Sequence, residues 1–265
     1  MEGRGGEELS ALFARLEDLS ARAGGGEVAV TDFLSPRELH YAEGYLRRLG
    51  VAFGAYGGYG EAERRCLYLL PDYMESEGED LSALLSTFEV DTGISALSIR
   101  GSGYRTLSHR DFLGSLLGLG LSRAVLGDIA VDTEGREAIL FCRTSISEFL
   151  LTELSAVGSD KVRVRRLNIE EVSIPPRRYE TLSDTVASAR LDGVVAALCG
   201  LSRERARQTV VSGLVELNYE SEERPDRTVS EGALLSVRGM GKYRILSLSD
   251  RTKKGRLRLT AEKYL

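Results

Sequence analysis

The sequence predicts an α+β chain of 265 residues. It divides into an N-terminal α/β domain over 1–80, a β-α-β-β-α-β domain over 81–170, a linker over 171–184, and a helix pair with a small sheet over 185–265. Three observations predict this. Apolar residues recur at helical spacing in some segments and alternate as in strands in others. Glycine and proline clusters separate those segments. The charge also drifts along the chain. Residues 1–92 carry 8 basic and 18 acidic side chains, residues 93–184 carry 12 and 12, and residues 185–265 carry 15 and 10.

In the first domain, Leu9, Leu12, Phe13, Leu16 and Leu19 mark a helix over 7–23, ended by Gly24-Gly25-Gly26. Pro36 suits the first turn of a second helix, which runs to Leu49 with Gly50 as its cap. A glycine and tyrosine stretch from Gly54 to Gly60 precedes an apolar strand from Arg65 to Leu70, stopped by Pro71. Glu75 to Asp80 reads as an acidic connector.

The middle domain alternates more regularly. Strands are expected at Ile94–Arg100, Asp128–Asp132, Glu137–Arg143 and Val162–Leu167. Ser108 caps an intervening helix with Phe112, Leu113, Leu116 and Leu117 on its apolar positions, and Ser145 or Ser147 caps another through Leu154. This order is the split β-α-β, or ferredoxin-like, pattern. A sheet of this kind that binds single-stranded RNA offers aromatics for stacking. The third strand has only Phe141 and the first has none, so no such mechanism is read here. Arg105, His109 and Arg110 at the first helix start are the candidate phosphate contacts of this domain.

Pro175-Pro176 lies in the expected linker. Beyond it, Leu191, Val194, Val195 and Leu198 form one helix stripe, Gly200 ends that helix, and Ser202 caps the next, which carries Ala206, Val210 and Val211. Strands follow at Leu214–Leu217, Ala233–Arg238, Lys242–Ser249 and Arg256–Thr260.

The candidate site lies in this last domain. Arg203 and Arg207 are four apart and share a helix face, flanked by Arg205 and Gln208. The Ser202 cap leaves backbone N–H groups at a positive helix end. A guanidinium takes phosphate oxygens in a bidentate fork. Arg190 precedes the first helix of the pair. From Arg238 to Arg258 there are 8 basic residues, among them Lys242, Arg244, Lys253 and Lys254, against the single acid Asp250. Two basic elements on one small fold point to RNA or another polyanion.

Other chemistries find less support. Cys66, Cys142 and Cys199 are far apart in apolar runs and read as buried reduced thiols. His40 and His109 are the only histidines, too few for a clustered zinc site. No cofactor is expected. His109 with Asp111 lacks a nucleophile for a triad. The Gly57-Gly58-Tyr59-Gly60 and Gly101-Ser102-Gly103 turns lack dinucleotide-loop spacing. No run of about eighteen apolar residues suggests a membrane span, and Met1 to Gly6 has no secretory pattern.

Two resemblances sharpen the picture. Leu191-Asp192, Leu201-Ser202-Arg203, Gly213-Leu214-Val215-Glu216-Leu217-Asn218 and Ser236-Val237-Arg238-Gly239-Met240-Gly241 resemble, in order, the RNA-binding domain named for ribosomal protein S four, the alpha-L motif, over roughly residues 185–245. That family often has Asn-Gly where this chain has Asn218-Tyr219, and Gly-Asp where it has Gly232-Ala233. Phe33 to Glu38, Tyr56 to Tyr59 with Ala62 to Arg65, Leu107 to Gly114 and Gly127 to Ile129 resemble the YlmH family, over nearly the whole chain. The chain is expected to be a non-enzymatic, cytoplasmic, monomeric RNA-binding protein, and the resemblance implies association with the ribosome. Its expected partners are rRNA and tRNA on the large ribosomal subunit with peptidyl-tRNA, in translation quality control. The alternative is an RNA-modifying enzyme such as an rRNA methyltransferase, for which S-adenosylmethionine binding would speak.

Overall fold

The computed structural model describes residues 2–74, 81–174, 178–248, 252 and 255–264, the first five of these by backbone alone. The chain forms two compact units, Met1–Ile174 and Pro175–Leu265.

The first unit opens with α1 (Glu2–Gly24), β1 (Ala29–Val30), α2 (Pro36–Leu49), β2 (Phe53–Tyr56), β3 (Cys66–Leu69) and α3 (Leu81–Thr87). The start of α2 follows from its residues. Ser35 Oγ accepts from the Glu38 N–H while the Glu38 carboxylate accepts from the Ser35 N–H, a reciprocal cap. Gly50 closes the helix with φ of 69°, a conformation that other residues resist. Strands β1, β3 and β2 form a small antiparallel sheet in that order. The acidic connector expected at Glu75 to Asp80 lies outside the described residues.

Next come β4 (Ile94–Arg100), α4 (His109–Gly118), β5 (Leu126–Val131), β6 (Glu137–Arg143), α5 (Ser147–Glu153), the hairpin β7 (Ala156–Val157) and β8 (Asp160–Lys161), and β9 (Arg163–Leu167). The sheet order is β5-β6-β4-β9, with every pair antiparallel. A split β-α-β pattern gives this arrangement. Ser108 caps α4 as expected, with Asp111 returning the bond. Neither Ser145 nor Ser147 caps α5. A short 3-10 turn, Thr144–Ile146, leads into it, and Ser147 Oγ donates instead to the Thr144 carbonyl.

This sheet is covered on both faces. Leu97, Ile99, Leu140 and Cys142 pack beneath Phe112 and Leu116 of α4 and Leu150 of α5. Ile94, Ala96 and Phe141 pack on the other face with Phe33, Cys66, Tyr68, Leu84 and Leu85. The segments expected as separate domains over 1–80 and 81–170 thus share one core. Phe141 stacks on Tyr59, with ring centroids 5.0 Å apart. Buried there, it is no platform for a base. Cys66 and Cys142 are buried in these cores, and burial pushes their thiols up to about 11 and about 12. Cys199, in the second unit, is only partly buried.

The second unit contains β10 (Tyr179–Val186), α6 (Leu191–Cys199), α7 (Arg203–Val211), β11 (Val215–Leu217), β12 (Glu220–Ser221), β13 (Leu234–Val237), β14 (Gly241–Ser247) and β15 (Leu257–Tyr264). The segment expected as a linker therefore supplies a strand. β10 is an edge of a six-stranded antiparallel sheet, β10-β15-β14-β13-β11-β12, pairing with β15 from Tyr179↔Tyr264 to Val186↔Leu257. Pro175-Pro176 lies outside the described residues. Val194, Val195 and Leu198 of α6 and Ala206 and Val210 of α7 pack on Leu235, Val237, Tyr243, Ile245 and Leu259. The helix pair thus covers one face of the sheet and leaves the other to solvent.

Candidate nucleic-acid interface

The second unit holds most of the expected site, built around a carboxylate. Asp192, in the first turn of α6, has a side chain only 4% exposed. Its Oδ1 accepts from Arg190 Nε at 3.3 Å and from an Arg203 terminal nitrogen at 3.1 Å, and its Oδ2 accepts from Arg190 at 3.0 Å. One buried acid therefore ties the residue before α6 to the first residue of α7. Burial alone would raise its pKa. The hydrogen bond from Arg190 and the charges of Arg203 and Arg190 outweigh burial and hold the carboxyl below its ordinary value.

The two arginines stay 43% and 54% exposed. A guanidinium has five N–H donors, so each keeps donors for a further acceptor. Had both been fully buried against the acid, neither could serve an anion. Held at one point but open to solvent, they are oriented cations whose side-chain freedom is already spent.

Ser202 Oγ accepts from the Arg205 N–H at 3.3 Å and caps α7. Arg207 lies one turn beyond Arg203, 3.9 Å from Glu204, with both partners exposed. Such a pair holds weakly. Gln208 donates to Glu204 at 3.5 Å. Arg205 is exposed but sits about 200° round the helix from Arg203 at the standard 100° step, so it belongs to another face. Arg238 lines a groove of about 440 Å³ with Gly213 at the end of α7, Glu216, Ser236 and Lys242.

The cations of β14 separate from this group. Tyr243 and Ile245 point into the core beneath the helices. Lys242 and Arg244 alternate with them and so project from the opposite face. The expected single surface is therefore two: a helix-pair cluster of Arg190, Arg203 and Arg207, and an outer-sheet cluster of Lys242 and Arg244. The strand period enforces the split. Lys253 and Lys254 lie outside the described residues.

In the first unit, Arg105, His109 and Arg110 are all exposed. His109 lines a cleft of about 580 Å³ with Arg37, Arg64 and Arg123, together with Glu8, Glu38, Glu63 and Asp128. Arg105 follows Tyr104, which is 95% exposed. The Ser102 turn before it is fixed by the Ser102 N–H donating to Asp160 at 3.0 Å.

The cleft gathers the segments that carry the family resemblance. Asp128 accepts from the Tyr59 hydroxyl at 2.8 Å and from the Glu63 and Arg64 N–H groups. Arg64 donates to the carbonyls of Leu126, Phe33 and Arg123. Burial, and then the charge of Arg123, lower its pKa. These residues lock the N-terminal segment onto the sheet of the middle segment. Gly58, with φ of 102°, and Gly127 are required here, since a Cβ would meet Phe141 at 2.2 Å and Phe33 at 2.7 Å respectively.

Sequence reasoning passed over four features. Asp192 was visible only as part of a motif. Tyr264 lay past the expected end of its strand, on the side opposite Leu257, Leu259 and Ala261. Arg100 and Arg163 face each other across β4 and β9, beside Arg165. Glu137, opposite Arg100 on β6 and 3.8 Å from Arg165, offsets this like-charge pairing. Arg64 was noticed without its role.

Exposed, oriented guanidiniums on an α+β fold are chemistry suited to a polyanion. Residues 89–171, in the first unit, fit the family model described as "Putative RNA-binding domain in YlmH". The chain is 32% identical over 235 residues, 88% of its length and 86% of the relative's, to "Ribosome-associated protein quality control protein P2" of Bacillus subtilis. The chain belongs to the YlmH family. The solved structure of the cell division protein ylmH from Streptococcus pneumoniae matches with a TM-score of 0.48 and 20% identity, covering 64% of this chain and 92% of that one. Among the described residues, no helix is long and apolar enough to cross a membrane.

Proposed function

We propose that this chain is a non-enzymatic RNA-binding adaptor of the cytoplasm, which docks on structured rRNA of the large ribosomal subunit and on peptidyl-tRNA. The observation that carries the reading is the Asp192-tied pair Arg190 and Arg203, with Arg207 one turn further on. Oriented guanidiniums at a helix start suit phosphate oxygens in a fixed RNA fold. They suit backbone contact rather than base readout. The second unit is then an S-four-type module, and the first unit brings the RNA-binding domain of the family. The Bacillus subtilis relative, named for ribosome-associated quality control, supports the setting.

Co-sedimentation of the purified chain with large subunits tests this reading. The association is expected to be direct and to vanish once nuclease removes the exposed rRNA and tRNA. Persistence after nuclease would identify a protein contact and overturn the proposal.

A further inference from the structure

The outer face of the six-stranded sheet is not used by the helix-pair grip. It carries an unusual set of side chains for a solvent-facing surface. Tyr179 and Tyr264 are paired across β10 and β15, with ring centroids 5.1 Å apart in an edge-to-face arrangement. Lys242 Nζ lies 5.0 Å from the Tyr264 centroid and 6.0 Å from that of Tyr219. Arg244 lies 5.8 Å from the Tyr264 centroid and donates to its hydroxyl at 2.9 Å. Arg258, on β15 opposite Thr185, lies on this face, as does the acid Glu262 opposite Arg244.

Tyr219 is independently informative. Asn218 and Tyr219 form the two-residue turn between β11 and β12, with φ of 51° and 69°. A turn of this type prefers glycine at the second position, because a Cβ strains the left-handed backbone. Asn218 fits, its Oδ1 accepting from the Leu234 N–H at 2.9 Å. Tyr219 holds a strained conformation that places its ring within reach of Lys242. Backbone strain kept where glycine would relieve it marks a side chain with work to do.

We propose that this outer sheet face binds a single-stranded RNA segment, with bases stacking on Tyr264, Tyr179 and Tyr219 and with Lys242 and Arg244 taking the phosphates between them. The proposal rests on the RNA-binding reading above and adds a second surface and a substrate form to it. The occupant follows from the combination of rings and cations. Aromatic rings interleaved with cations fit a chain of alternating flat bases and negative charges. An exposed cation–ring contact is weaker than a base–ring stack, so arriving bases displace the cations toward phosphate.

The test uses the full chain, a short unstructured oligouridine and a structured rRNA fragment. Tyr264→Leu and Tyr219→Gly are each expected to lower oligouridine affinity about tenfold, leaving the salt dependence unchanged because a stack releases no counterions. Tyr264→Phe keeps the ring and is expected to restore most of the loss. Tyr219→Gly is expected to melt no lower than the parent, which separates lost stacking from lost folding. Parent-like oligouridine binding by both Tyr264→Leu and Tyr219→Gly, with rRNA binding intact, would overturn this inference and leave the adaptor reading standing. Failure of the parent chain to bind either RNA would overturn both. Loss only of a nuclease-resistant partner would assign the face to a protein and overturn the inference.

Discussion

At the residue scale the account turns on Asp192. Its carboxylate lies buried between Arg190 and Arg203, and a hydrogen bond to a charged group contributes about 1.5–3 kcal/mol. Replacing it with alanine is expected to cost the second unit about 2 kcal/mol at neutral pH, read by urea denaturation. Its pKa is depressed in the folded state. The stabilisation is therefore complete above the ordinary carboxylate value and is lost as pH falls through the lower folded value. The parent should lose stability on acidification through this range, and Asp192→Asn should lose less. Asp192→Asn also separates orientation from bulk charge. It makes the cluster more positive by one charge, so simple attraction would tighten RNA binding. If Asp192 acts by positioning the two arginines, binding to structured RNA weakens, and a tighter complex would refute that role. The arginines were legible from their i, i+4 spacing and the Ser202 cap. The acid was not, because nothing in sequence spacing tells a buried aspartate near a helix start from a solvated one.

At the scale of elements, helices were easier to read than strands. Pro36 and Ser108 gave two helix starts, and Gly50 and Gly200 gave two ends. β10 was hidden for a physical reason. It is an edge strand with one face open, and its residues Glu180, Thr181, Ser183, Asp184 and Thr185 are polar on both sides. Only Leu182 and Val186 reach the core, too few to show a period of two beside a proline pair. Its eight-residue pairing with β15 is nonetheless a full edge of the sheet. A fragment of residues 178–265 is expected to unfold cooperatively, whereas 187–265 should lack a cooperative transition by circular dichroism. Equal melting of the two would show that β10 is dispensable. In the first unit, Gly58→Ala would place a methyl 2.2 Å from the Phe141 ring at a positive φ. Overpacking and left-handed strain together are expected to cost about 2–4 kcal/mol. Thermal melting would show the loss, and an unshifted melt would mean that Phe141 has room to move.

At the scale of the whole molecule, the charge gradient read from sequence maps onto the two units. Residues 1–174 carry 18 basic and 28 acidic side chains, and residues 175–265 carry 17 and 12. An acidic unit joined to a basic one restrains indiscriminate attachment to nucleic acid. Composition made that asymmetry visible. It did not show that the basic end has two faces, since Lys242 and Arg244 are near the other cations in sequence yet lie across a sheet from them. Nor did it show that the N-terminal segment covers the face of the middle sheet on which a stacking mechanism would depend, because Phe33, Tyr68 and Phe141 meet only in the folded core. The most direct test of the central claim is the salt dependence of binding to a structured rRNA fragment, for the parent and for Arg203→Ala with Arg207→Ala. Each phosphate contact steepens the slope of log affinity against log salt by about 0.7–0.9, so the double variant should bind more weakly and with a slope shallower by nearly two. An unchanged slope and affinity would contradict the account.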